Sequence, residues 1–148
     1  MTDLDAPALE IDQLLAEYPT AIAASVQECR RVVRNAAPEL IERVRPGWRL
    51  IGYDVRIGRR SVYLAWIWPQ FEHVHLGWQV GTLLRDPRGL LGGAHEHLKK
   101  VRYLTFEPGK RVDPRAAGAF TREAVDIAMM SRGERELLAH SRQTTHRG

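Results

Sequence analysis

Helical and extended hydrophobic spacings divide this chain into blocks. Leu9, Ile11, Leu14, Leu15 and Tyr18 fall at steps that suit a short amphipathic helix stopped before Pro19. Ile22, Val26, Cys29, Val33 and Ala36 or Ala37 then recur every three or four residues, predicting a helix over 20–36 with Arg30, Arg31 and Arg34 on its wetter side. Pro38 opens a brief third helical piece through Val44, with Glu39, Glu42 and Arg43 as its solvated face and Pro46-Gly47 as the closing turn.

The period then changes. Trp48 to Val55 reads as a first strand, Gly58 to Arg60 as a turn, and Ser61-Val-Tyr-Leu-Ala-Trp-Ile-Trp68 as a second strand. This second strand is apolar almost without a break, the mark of a strand covered on both faces. His73-Val-His-Leu-Gly-Trp-Gln-Val80 alternates instead. Val74, Leu76, Trp78 and Val80 share one face, and His73, His75, Gly77 and Gln79 the other. A turn centred on Gln70-Phe71 sets Trp68 against His73, Trp66 against His75, and, on the core side, Tyr63 against Trp78.

Arg85 to Gly89 and Gly92-Gly93 are turn chemistry in a long connection, and Val101 to Phe106 is a fourth strand. Asp113-Pro114 is a helix start, followed by the stripe Ala117, Phe120, Ala124, Ile127 and Ala128 over 114–130. Glu134 to His140 adds a turn or two. The expected organisation is a loose end at 1–7, one domain over 8–140 and a disordered tail over 141–148. The expected class is α+β, an antiparallel sheet with helices mainly on one face.

Composition narrows the function classes. The chain has 148 residues, 44% hydrophobic and 27% charged, the balance of one ordinary globular domain. A single cysteine, Cys29, excludes an internal disulfide and a multi-cysteine zinc site; its place on a helical stripe reads as a core thiol. There is neither a membrane-length apolar run nor the signature of a signal peptide, so a cytoplasmic protein is the default expectation. The net charge of +4 comes from 22 basic and 18 acidic residues interspersed, which disfavours a dedicated nucleic-acid surface.

A family comes into view in the middle of the chain. His73-Val-His-Leu-Gly-Trp78, then Gly81-Thr-Leu-Leu-Arg-Asp-Pro-Arg-Gly-Leu-Leu-Gly-Gly93, then Leu98-Lys-Lys-Val-Arg-Tyr-Leu104 resembles the YdhG-like family of small bacterial domains. Ala37-Pro38-Glu39 leading to Glu42-Arg43-Val44 is similar to a second landmark of that family, so the likeness runs over roughly residues 18 to 128. The resemblance implies an α+β fold with an antiparallel sheet. Most of the family has no established activity, and some members are described as frataxin-like iron chaperones. Where the family often has Gly-Lys after the Gly-Leu-Leu turn, this chain has His95-Glu96.

Two sets of residues carry candidate chemistry. Trp66 and Trp68 beside His73 and His75 could wall an apolar pocket with polar handles, with Lys99 and Arg102 nearby to attract an anion. The bland alternative is that a helix or partner subunit covers the tryptophans. His73, His75, His95 and His97 are the clustered candidates for a metal, though their spacing fits no specific motif. No phosphate-binding glycine pattern and no nucleophile paired with a base occurs. The functional expectation is therefore a binding module for a small molecule or a metal such as iron, acting alone or as a homodimer, with its cofactor unknown. A small enzyme using the Trp/His-lined pocket on the sheet is the alternative.

Overall fold

The computed structural model describes residues 6–96, 98–110 and 113–145. Two helices, α1 (Ala6–Leu15) and α2 (Thr20–Ala36), precede five strands. These are β1 (Ile41–Arg45), β2 (Leu50–Ile57), β3 (Arg60–Pro69), β4 (Val74–Trp78) and β5 (Arg102–Phe106). Two more helices, α3 (Pro114–Ala128) and α4 (Arg132–Thr145), complete the chain. The strands pair antiparallel in chain order, β1-β2-β3-β4-β5. The class is α+β, as the hydrophobic spacing predicts.

One face of the sheet carries the core. Ile67, Leu76 and Leu104 line up across β3, β4 and β5, with Ala65 beside Trp78 and Val74 beside Phe106 in the flanking rows. Against this face lie the apolar stripes of α2 (Ile22, Val26, Cys29, Val33) and α3 (Ala117, Phe120, Ala124, Ile127). Cys29 is fully buried, as its place on the stripe suggests, and burial pushes its thiol up to about 12, which leaves it protonated and inert. Trp78 is also enclosed; its indole N–H donates to Thr121 Oγ1 at 3.3 Å, so the ring packs without stranding a donor.

The structure corrects several expectations. The segment expected as a third helix is β1, and Glu42 belongs to the core side of the sheet, opposite Tyr53. Arg30 of α2 grips it bidentately at 2.7 and 3.0 Å, and the Tyr53 hydroxyl donates to it at 2.6 Å. A carboxylate can occupy that position because three donors replace its lost water. The first expected strand starts late, since Pro46 to Arg49 form a turn in which Arg49 takes a positive φ of 54°.

The hairpin register is displaced by two residues. Pro69 pairs with Val74, Trp68 with His75 and Trp66 with Gly77, because the loop is the four residues Gln70 to His73, closed by Gln70 N–H donating to His73 C=O at 2.8 Å. A shift of two preserves the faces. Tyr63 does change face: Tyr53 pairs with Ala65 but Asp54 pairs with Tyr63, so Leu64 is an extra residue, a β-bulge. Leu64 and Ala65 are both buried, and Tyr63 turns away from Trp78 toward Trp66.

At the C-terminal end, helix α4 runs to Thr145, so 141–145 is helical and not a disordered tail. Ser131 and Glu134 start it with a reciprocal cap: Glu134 N–H donates to Ser131 Oγ at 3.1 Å, and Ser131 N–H to Glu134 Oε1 at 3.2 Å. Arg142 Nε ties the helix to Leu83 C=O at 3.0 Å. Residues 1–5 and 146–148 lie outside the described residues.

Candidate functional site

The second face of the sheet is where the sequence-predicted aromatics meet. Strand alternation puts Gly52, Trp66, Gly77 and Tyr103 in one row across β2 to β5, and Trp68, His75 and Thr105 in the next. The glycines of the first row, and Gly92 bridged to Tyr103, are covered by neighbouring side chains, most of them rings. A Cβ at Gly77 would lie 2.2 Å from the Trp66 ring, one at Gly52 would lie 2.6 Å from Arg45 Nε and 3.1 Å from the Tyr63 ring, and one at Gly92 would lie 3.0 Å from the Tyr103 ring. Large side chains therefore lie down over the glycines instead of standing off the sheet. The result is an aromatic pavement.

Ring contacts run along this pavement in two groups. Trp48, Tyr63 and Trp66 form one, with centroids 6.3 and 6.4 Å apart, and the Arg45 guanidinium lies 4.6 Å from the Tyr63 centroid. In the other, His75 stacks on Tyr103 at 4.1 Å, meets Trp68 edge-on at 5.9 Å, and has His73 at 4.7 Å. Trp68 is 38% exposed and Trp48 61% exposed. Among the described residues, the ring contacts of this face are all made within the sheet and its turns. The bulge brings in Tyr63, which the alternation pattern had assigned to the core.

Electrostatically the platform is quiet at neutral pH. Burial, and then the neighbouring His73, hold the His75 imidazole below its ordinary value, with Glu96 opposing, so the ring is neutral. The hydrogen bond from the Tyr103 hydroxyl to Glu96 pushes that phenol up to about 12. Arg45 is neutralised by Asp54, which accepts from Nη2 at 3.0 Å. A face of this kind stacks a flat ring; the carboxylates that touch its rings are already engaged, Glu96 with the Tyr103 hydroxyl and Asp54 with Arg45.

Trp66, Trp68, His73 and His75 thus share one face, with Trp68 and the two histidines in one contact group with Tyr103, and Trp66 in the other with Tyr63 and Trp48. Lys99 and Arg102 are not part of the group. Lys99 is exposed in a bend before β5, and Arg102 is one residue out of phase with Tyr103, so it belongs to the other side of the strand. Its Nη1 donates to the carbonyls of Leu98 and Val101, both at 2.7 Å. Tyr103 carried a signal that alternation from Gly77 could have found, since both stand in one row. Tyr63 carried none, because a bulge leaves no local mark in an apolar run.

The metal expectation rests on four histidines. His73 and His75 adjoin, and Glu96 is bound to Tyr103, the ring on which His75 stacks. Among the described residues no group of three or more His, Cys, Asp or Glu could hold an ion. Two imidazoles alone do not make a metal centre. His97 lies outside the described residues, and only the backbone of His95 is described.

Compared with known proteins, the chain matches no family model, no curated protein and no solved structure. Among the described residues, no helix is long and apolar enough to cross a membrane.

Proposed function

We propose that this protein is a non-catalytic binding module that takes a flat, uncharged organic ligand on the open face of its sheet. The observation that carries this reading is the pavement itself: rings laid over glycines, left uncovered by the helices, beside two imidazoles. Trp66 and Trp68 supply area and stacking, while His73 and His75 supply donors and acceptors that orient a polar edge of the ligand. The neutralised state of Arg45, His75 and Tyr103 favours an uncharged ring over an anion or a cation.

The resemblance to the YdhG-like domains supports a carrier or binding role over an enzymatic one, and it also suggests iron for some members. The adjoining imidazoles of His73 and His75 favour that second reading, but the absence of a third donor among the described residues weighs against it.

The test is a thermal-shift screen of aromatic metabolites alongside zinc and ferrous iron, using protein without a histidine tag. Aromatic hits are expected to quench tryptophan fluorescence. Trp68→Ala should weaken them about tenfold, the scale of one good stacking contact. The pair His73→Ala/His75→Ala should weaken binding with the melting temperature nearly unchanged. Hits that bind equally well to Trp68→Ala and to the histidine pair would overturn the proposal, and a shift produced by metal alone would replace it with the metal reading.

A further inference from the structure

A different part of the molecule, the free edge of β5, has backbone chemistry that the aromatic face does not use. Gln79 N–H donates to Leu64 C=O, and Gln70 N–H to His73 C=O, so alternate residues of β4 from His73 onward direct their backbone groups at β3. Val74, Leu76 and Trp78 must then direct theirs at Phe106, Leu104 and Arg102 of β5. Tyr103 and Thr105 are left facing the outer edge.

Tyr103 finds a partner there in Gly92, with N–H to C=O bonds of 2.7 and 3.1 Å in both directions. Continued backward, that antiparallel pairing would set Leu90 opposite Thr105. The loop does not continue. Asp86 accepts the amides of Leu90 and Leu91 at 2.8 and 2.9 Å, which turns them from the sheet edge after one residue of pairing. Between the turned loop and the strand lies a cavity of about 590 Å³, bounded by Leu90, Leu104 and Pro114, with Thr105 on its strand side and the Arg88–Asp113 ion pair at its rim. Among the described residues the Thr105 N–H and C=O have no backbone partner, and such an edge position beside an apolar slot is a template for another strand.

We propose that this cavity is a docking slot for an extended peptide of another protein, which adds as a short strand to β5 at Thr105 and seats an aliphatic side chain between Leu90 and Pro114. An extended polypeptide offers a backbone donor and acceptor to match those of Thr105 together with a side chain for the slot, and strand addition is a recurrent mode of peptide recognition. Arg88 and Asp113 give the slot one charge of each sign at its rim, which selects a peptide flanked by opposite charges over a uniformly acidic or basic one.

The probe is a displayed library of random heptapeptides, selected against the full chain and re-measured as capped synthetic peptides. Enriched sequences are expected to carry a β-branched or leucine residue between charged flanks, and to slow amide hydrogen exchange at Thr105. Thr105→Pro removes only an outward-facing N–H on an edge strand, so the fold should tolerate it while peptide affinity falls about tenfold or more. Thr105→Val keeps the backbone and should bind as the parent does. Failure to enrich any sequence, or equal affinity for Thr105→Pro with folding intact, would overturn the proposal. Protection of Thr105 that rises with protein concentration, without peptide, would overturn it in favour of a second copy of the chain.

Discussion

The two faces of the sheet are built from similar residues and solve opposite problems. On the helix-covered face, Ile67, Leu76 and Trp78 are fully enclosed, and the one carboxylate that enters, Glu42, is met by Arg30 and Tyr53. On the other face, among the described residues, no α-helix buries Trp66, Trp68 and Tyr103. Trp66 lies over Gly77, Tyr63 and Arg45 over Gly52, and Tyr103 against Gly92 instead, so each ring shelters one side from water and leaves the other more accessible. Hydrophobic composition alone therefore does not decide what is core; the difference is whether a second layer exists to be packed against.

The widest separation between the faces should appear in tryptophan truncation. Trp78→Ala empties an enclosed site and should cost about 3–5 kcal/mol, whereas Trp68→Ala, on a side chain 38% exposed, should cost about 1 kcal/mol. Urea unfolding of both variants checks this, and equal losses would show that something covers the open face.

Next in size is the carboxylate clamp. Glu42→Gln leaves the Arg30 guanidinium without its counter-charge and should cost about 2–3 kcal/mol, below the value for a fully enclosed pair because both side chains keep an edge in water. Burial alone would raise the Glu42 pKa, but the bonds from Arg30 and Tyr53 outweigh it and hold the carboxyl below its ordinary value of 4.5. Its contribution is thus complete above about pH 4.5 and is lost as pH falls through the folded value. Acid unfolding of the variant should be correspondingly flatter. A parallel loss of stability with acid in both proteins would remove the clamp from the account.

On the open face, Gly77→Val drives a side chain into the Trp66 ring and should cost about 1–3 kcal/mol. The same change made in a Trp66→Ala background should cost less, and a double-mutant cycle measures the coupling. Additive losses would mean that the ring does not rest on the glycine.

The smallest effect is expected from His75. Its folded pKa lies below 6.5, so its contribution is present above that pH and is lost as pH falls toward the folded value. Because the ring is only partly buried, the effect should stay below about 1 kcal/mol. Comparing melting temperatures at pH 7.5 and 5.5 in the parent and in His75→Gln would show it. A steeper fall in the variant than in the parent would reverse the sign.

Much of this contrast was legible in the sequence where spacing was local. The stripes of α2 and α3 and the alternation from Val74 to Trp78 led directly to the right elements. What escaped depends on distant partners. Ile41 and Val44 sit three apart after a proline, which mimics a helix, and the core position of β1 between them is held by Glu42, a charge that only the distant Arg30 and Tyr53 make tolerable. The hairpin kept its faces but lost its register because the four-residue loop begins at Gln70, one position later than the assumed centre implies. The Leu64 bulge and the turned loop at Asp86 left no period to read. The cap formed by Ser131 and Glu134 was readable, and Gly133 within that first turn disguised it.

The seating of Trp66 on Gly77 also ties the two positions together over evolutionary time. While the indole is present, a β-carbon at position 77 is excluded; once the indole is lost, the bare glycine becomes the poorer choice for a strand, and valine or threonine gains the advantage. Descendants of this chain should therefore exchange the pair together, glycine with an aromatic or a branched residue with a small one. Gly92 and Tyr103 should drift under the same constraint, which would let a record of the platform's gain or loss be recovered from sequences that have diverged elsewhere.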